Sequence, residues 1–140
     1  MIKFVVYSEV CAKGRPRFRN IGKYVQAYTD KKTSNYENLV KLSFVNSGCK
    51  PYMNSETLKC EIKIYRSIPK SISMKKRRLM LDNDLRPITK PDLDNCIKSI
   101  LDGLNGVAFH DDSQIVHLTC DKYYGEEPRV EIEIWSIDNE

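Results

Sequence analysis

Stretches of alternating apolar and polar residues give way twice along this chain to stretches with helical spacing. The cleanest alternation is TLKCEIKIYR at 57–66. Leu58, Cys60, Ile62 and Ile64 face one way, and Lys59, Glu61, Lys63 and Tyr65 face the other, the pattern of a half-buried strand. Residues 2–10 (IKFVVYSEV), 114–123 and 129–137 are rich in β-branched and aromatic residues and predict three more strands. Tyr124–Pro128 between the last two suits a hairpin turn. A first helix is predicted from Ser34 to Ser47, with Tyr36, Leu39, Val40 and Phe44 at helical spacing, a Ser34/Glu37 capping box and Gly48 as the stop. A second follows Pro91 and ends at Gly106, its stripe being Leu93, Ile97, Ile100, Leu101 and Leu104. Residues 11–32 read as a long basic loop or hairpin, and 67–90 as a basic connector with a short helix over Met74–Met80. The order β-α-β-α-β-β predicts an α+β fold: one domain over 1–140, with two main helices on one face of a four-stranded, mainly antiparallel sheet.

Composition narrows the class. The 140 residues suit one domain, and 41% apolar with 30% charged is globular. No apolar run has the length of a membrane span, and the N-terminal pattern does not suit a signal peptide, so no membrane partner is expected. The five cysteines are scattered with no C-x-x-C pair, which argues against a disulfide framework or zinc site and favours a reducing cytoplasm. The net charge of +4 conceals an asymmetry. Residues 1–90 hold 20 lysines and arginines against 7 acidic residues, whereas 91–140 hold 3 against 12. A basic part with a separate concentration of carboxylates points to a polyanion partner and to chemistry with divalent metal and phosphate.

The second helix opens on Lys90-Pro91-Asp92-Leu93-Asp94-Asn95. A residue before proline is held extended, so Lys90 lies outside the helix, and Asp92 and Asp94 flank its start, where the turning chain can aim both at one spot. Lys98 rises one turn after Asp94, and Asp102 one turn further. Aspartate is also an ordinary capping residue, so either carboxylate alone could serve only the helix. A second acidic pair, Asp111-Asp112, precedes the next strand, and spacing along the chain does not bring the two pairs together.

The stretch KPDLDNCIKSILDGLNGVAFHDDSQI, residues 90–115, closely resembles the signature of the RusA family of Holliday-junction resolvases. KGRPRF (Lys13–Phe18) and YTDKKTSNYE (Tyr28–Glu37) are similar to the N-terminal pattern of members from Gram-positive bacteria and their phages. Asp30 departs from that pattern, which has proline there, and the departure is expected to touch only the loop. The resemblance implies a homodimer that cleaves four-way junction DNA with Mg²⁺, Mn²⁺ being the alternative ion. Catalytic carboxylates carry over to Asp92, Asp94 and Asp112, and the site lysine to Lys98. Asp111 stands beside them as a further candidate ligand, while Asp102 suits a helix-surface or structural role equally well.

These residue types fit the chemistry, because aspartate oxygens suit a hard ion that keeps several of its waters. The basic loops supply candidate DNA contacts in two clusters. The first is Lys13, Arg15, Arg17, Arg19 and Lys23, interleaved with Phe18, Tyr24 and Tyr28; the second is Lys75, Lys76, Arg77 and Arg78. The aromatics could stack on unpaired bases. Two other readings stay open: a nuclease for flaps or forks, and a junction-binding protein that does not cut. His110, His117, Cys60, Cys96 and Trp135 read as structural, and Ser113 and Gln114 carry no assigned chemistry.

Overall fold

A computed structural model describes residues 1–138. The elements are β1 (Ile2–Val6), β2 (Arg17–Ile21), β3 (Tyr24–Tyr28), α1 (Lys31–Ser47), β4 (Leu58–Ser67), α2 (Met74–Leu81), α3 (Leu93–Leu104), β5 (Ile115–Gly125) and β6 (Arg129–Ser136), with a 3-10 turn at Asp112–Gln114. The main sheet has the order β1-β6-β4-β5, and β2 and β3 form a separate two-stranded ribbon. β6 runs antiparallel to both β1 and β4, and β5 runs parallel to β4. The expected α+β fold is therefore present, with a mixed sheet.

Register explains how the core forms. Ile2, Ile134, Cys60 and Leu118 lie in one row across the four strands, and Phe4, Ile132, Ile62 and Cys120 in the next. These rows face Val40 and Phe44 of α1 and Ile100 and Leu104 of α3, all part of one apolar cluster. Each fully buried aliphatic side chain contributes about 1.5–3 kcal/mol, so the sheet and the two helices hold one another. All five cysteines are free, and burial pushes the thiols of Cys60 and Cys120 up to about 12 and that of Cys96 up to about 11.

Three expectations from the sequence need correction. β5 and β6 are not a hairpin, because β4 lies between them and pairs with both. The turn signal at 124–128 marks a chain reversal, but it cannot specify which strands pair, and the strand with the longest apolar alternation takes the central place. Gly125 permits the chain to pass the end of β4, where a Cβ would crowd the Tyr65 ring. Second, α1 begins at Lys31 and not Ser34, because the extended Asp30 caps it by accepting from the Thr33 N–H at 3.4 Å. The departure at Asp30 thus does more than alter a loop. Third, the buried face of α3 is Cys96, Ser99, Ile100, Gly103 and Leu104, whereas Leu93 is exposed. The small residues let α3 approach α1: a Cβ on Gly103 would stand 2.8 Å from the Glu37 carbonyl oxygen. Of the two readings of residues 11–32, the hairpin is the one present, as the β2–β3 ribbon. Among the described residues no helix is long and apolar enough to cross a membrane.

Candidate active site

α3 starts where the chain leaves its extended Lys90-Pro91 segment. Asp92 takes the N-cap backbone position, with φ −68° and ψ 144°, yet its side chain makes no capping hydrogen bond. Its carboxylate instead accepts from the Lys90 Nζ at 2.7 and 2.8 Å, one bond to each oxygen. Its charge is therefore balanced in this structure by the neighbouring ammonium. Lys90 is largely exposed, so it can be displaced at little cost. Asp94, in the first turn, is exposed and, among the described residues, in no salt bridge. Lys98 is likewise exposed and bridges neither Asp94 nor Asp102. The Lys122 ammonium braces this corner from β5, donating to the carbonyls of Thr89 at 2.9 Å and Pro91 at 3.0 Å. Sequence reasoning missed Lys122, because nothing along the chain ties it to position 91.

The other end of α3 holds the second acidic pair. Gly106, at φ 76°, turns the chain out of the helix, and the side-chain oxygen of Asn105 accepts from the Asp112 N–H at 3.1 Å. Asp111 caps the 3-10 turn by accepting from the Ser113 N–H at 3.1 Å, and its own N–H donates to Gln114 Oε1 at 3.0 Å. Gln114 in turn donates to the carbonyls of Asn54 and Glu56. The pattern D-x-x-Q is a legible capping box, so Ser113 and Gln114 have a structural task that the sequence could have revealed. Hydrogen bonds from Ser113, side chain and backbone, hold the Asp111 carboxyl below its ordinary range. Asp112 is exposed and makes no side-chain hydrogen bond or salt bridge among the described residues, so it is the more available of the two.

The pairs do not meet within one chain. Twelve helical residues separate Asp92 from Asn105, which spans about 18 Å at 1.5 Å per residue. Accordingly, no group of three or more His, Cys, Asp or Glu among the described residues could hold one metal ion. His110 and His117 are both exposed, and neither joins such a group.

The candidate DNA contacts fall into two bodies. The β2–β3 ribbon is exposed along its whole length. Its register puts Arg17, Arg19, Ile21, Tyr24, Gln26 and Tyr28 on one face, where Arg19 lies 5.3 Å from the Tyr28 ring centroid and bonds Gln26. Phe18, Val25 and Ala27 share the other face. Arg15 and Lys23 are exposed at the base and tip. Lys75, Lys76 and Arg78 project from α2 into solvent, while Arg77 pairs with Glu126 at 3.2 Å. Lys13 departs from the role the sequence assigned it. Its ammonium is enclosed between Glu37 of α1 at 2.6 Å and Asp102 of α3 at 3.1 Å, so it ties two helices together and is not free for a phosphate. Asp102 accordingly takes part in that tie.

Comparison with known proteins gives the chain a family. The sequence fits the family described as Endodeoxyribonuclease RusA over residues 8–135. It is also 40% identical over 139 residues to "Uncharacterized protein YqaN" of Bacillus subtilis (strain 168), covering 97% of this chain and 96% of that protein. With a match that begins just after β1 and ends at the penultimate residue of β6, the chain belongs to the RusA endodeoxyribonuclease family.

Proposed function

We propose that this protein is a Mg²⁺-dependent endodeoxyribonuclease that resolves four-way junction DNA as a homodimer, by paired symmetric nicks, in recombination and repair. Family membership supplies the coarser part, a hydrolase acting on DNA. The observation that carries the finer reading is the start of α3. There two aspartates stand free of capping duty, one paired through both oxygens with the exposed Lys90 ammonium, and Lys98, in no salt bridge among the described residues, lies a turn away. All-oxygen donors at an exposed corner fit Mg²⁺, which needs only one or two carboxylates; Mn²⁺ fits the same donors. When bound, the ion would supply a water of lowered pKa and polarise the phosphate. Asp92 and Asp94 hold it, Lys122 fixes the backbone that carries them, and Lys98 stabilises charge on the phosphate. The ribbon and α2 contact the DNA backbone through Arg15, Arg17, Arg19, Lys23, Lys75, Lys76, Arg77 and Arg78.

Dimerisation gives Asp112 a place in this scheme. One chain holds it beyond the far end of α3 from Asp92, but in a two-fold dimer each α3 start can lie against the Asp111–Asp112 turn of the other copy. Asp112 then completes the ligand set, with Asp111 as a secondary contributor. Two such sites related by the two-fold match the two opposed strands of a junction.

The test uses synthetic four-way junctions, flaps and linear duplex, with and without Mg²⁺. Asp92→Asn and Asp94→Asn should bind the junction nearly as the wild type does and fail to cut it. Cleavage surviving either change would falsify the assignment. Equal cutting of flaps and junctions makes the protein a general branched-DNA nuclease, and a wild type that never nicks makes it a binding module. Mixing Asp92→Asn chains with Asp112→Asn chains tests the shared site. Heterodimers then contain one intact site and should regain single nicks, whereas sites built within one chain regain nothing.

A further inference from the structure

Two open hollows adjoin between the base of the ribbon and the Lys90–Pro91 segment. One, of about 430 Å³, reaches Gly14, Lys90 and Pro91; the other, of about 510 Å³, continues along α1 to Tyr36 and Leu39. They share Val10, Cys11, Lys32 and Arg66, so they form one trough. It begins beside the residue that grips Asp92 and passes under the root of the basic ribbon.

The charges in it are arranged unequally. Lys32 is exposed and in no salt bridge among the described residues, so all three of its donors are available. Among the described residues Arg66 makes one long ion pair, 3.5 Å to Glu9. Lys90 holds Asp92 and is free to turn. The two carboxylates in the trough are held in place, although Glu9 Oε2 accepts no hydrogen bond among the described residues and faces Arg66. Asp30 accepts from the Thr33 hydroxyl at 2.5 Å, and Glu9 accepts from the backbone N–H and hydroxyl of Ser67. Lys32 and Lys90 thus bring mobile cations to a channel in which Asp30 is held by Thr33 and Glu9 shares its charge between Ser67 and Arg66, and its open form suits a chain better than a small enclosed ligand.

We infer that this trough seats the sugar-phosphate backbone of the DNA strand running between the ribbon and Asp92, with Lys32 and Arg66 each neutralising a phosphate. The inference rests on the endonuclease reading and adds to it a strand path that the clusters at 13–23 and 75–78 do not contain. Sequence reading had no access to it, since Lys32, Arg66 and Lys90 are isolated in three separate segments and only the fold makes them neighbours.

Junction affinity measured by fluorescence anisotropy without divalent metal, from 50 to 200 mM salt, tests the path. Each lost phosphate contact lowers the slope of log affinity against log salt by about 0.9 on duplex and about 0.7 on single strands. Lys32→Ala with Arg66→Ala should therefore lower the slope by about 1.4–1.8, while Lys41→Ala with Lys50→Ala, two exposed cations outside the trough, should leave it at the wild-type value. Lys32→Glu, a change at an exposed position, gives a second reading should the double variant fold poorly, and it too should lower the slope. Wild-type slopes in the trough variants, or an equal drop in the control pair, overturn the trough alone. A wild type that binds no DNA overturns the endonuclease reading and the trough with it.

Discussion

Replacing Lys13 with methionine separates a helix tie from a DNA contact. The substitution keeps most of the aliphatic stem and removes the ammonium that joins Glu37 to Asp102. Both carboxylates then face each other across the α1–α3 contact with no counter-charge. Breaking a fully buried pair costs about 3–5 kcal/mol. These side chains retain 18%, 21% and 28% of their exposure, so solvent screening reduces the expected loss to about 1–3 kcal/mol. For a chain of this length that lowers the melting temperature by about 3–10 °C. Burial pulls the Lys13 ammonium down, but hydrogen bonds to Glu37 and Asp102 outweigh it, and the net shift is upward from 10.5. The stability tied to its charge is thus complete below about 10.5 and disappears as pH rises through the raised folded value. The difference between wild type and variant should hold steady from neutral pH to about 10.5 and narrow above it. Adding Asp102→Asn should recover part of the loss, because the two changes share one network. Calorimetry across pH measures this, and salt-dependent junction binding completes it: Lys13→Met should keep the wild-type slope, whereas Arg17→Met should lower it by about 0.9. An unchanged melting temperature together with a slope reduced as in Arg17→Met would refute the reasoning and return Lys13 to the DNA surface.

Three further outcomes follow from the same structure. Gly103→Ala gains about 0.8–1.0 kcal/mol of helix propensity, but its Cβ would land 2.8 Å from the Glu37 carbonyl oxygen and 3.1 Å from the Val40 Cβ. Overpacking against backbone costs about 1–3 kcal/mol and should win, so the urea midpoint should fall, and a rise would count against the close α1–α3 crossing. Lys122→Met releases the carbonyls of Thr89 and Pro91; single-turnover junction cleavage should drop about 10- to 100-fold at unchanged junction affinity, while a parallel loss of binding and thermal stability would make the residue merely structural. Hydrogen bonding to Ser47 and to the Lys3 backbone lowers the Cys49 thiol from its usual value, whereas burial raises Cys60, Cys96 and Cys120, so brief alkylation near neutral pH followed by peptide mass analysis should find Cys49 modified ahead of those three.

The sequence by itself determined the main strands, the two long helices and the presence of Asp92 and Asp94 at the start of α3. Alternation at 58–64 and helical spacing at 36–44 are local consequences of burying one face, and the Lys-Pro-Asp-x-Asp pattern marks a helix start wherever it occurs. The carboxylates of Asp92 and Asp112 were legible in the same way, because an aspartate beside a turn signal is a local fact. Only the tertiary structure decided which strands pair, that β4 separates β5 from β6, and that Lys13 turns inward to two carboxylates while its neighbours point to solvent. It also set Asp92 and Asp112 at opposite ends of one helix, and gathered Lys32, Arg66 and Lys90 into one trough. The physical reason is common to all of these. A side chain's chemistry and its local periodicity are written in neighbouring residues, but its partner is whichever group the packing of distant segments brings within a few ångströms.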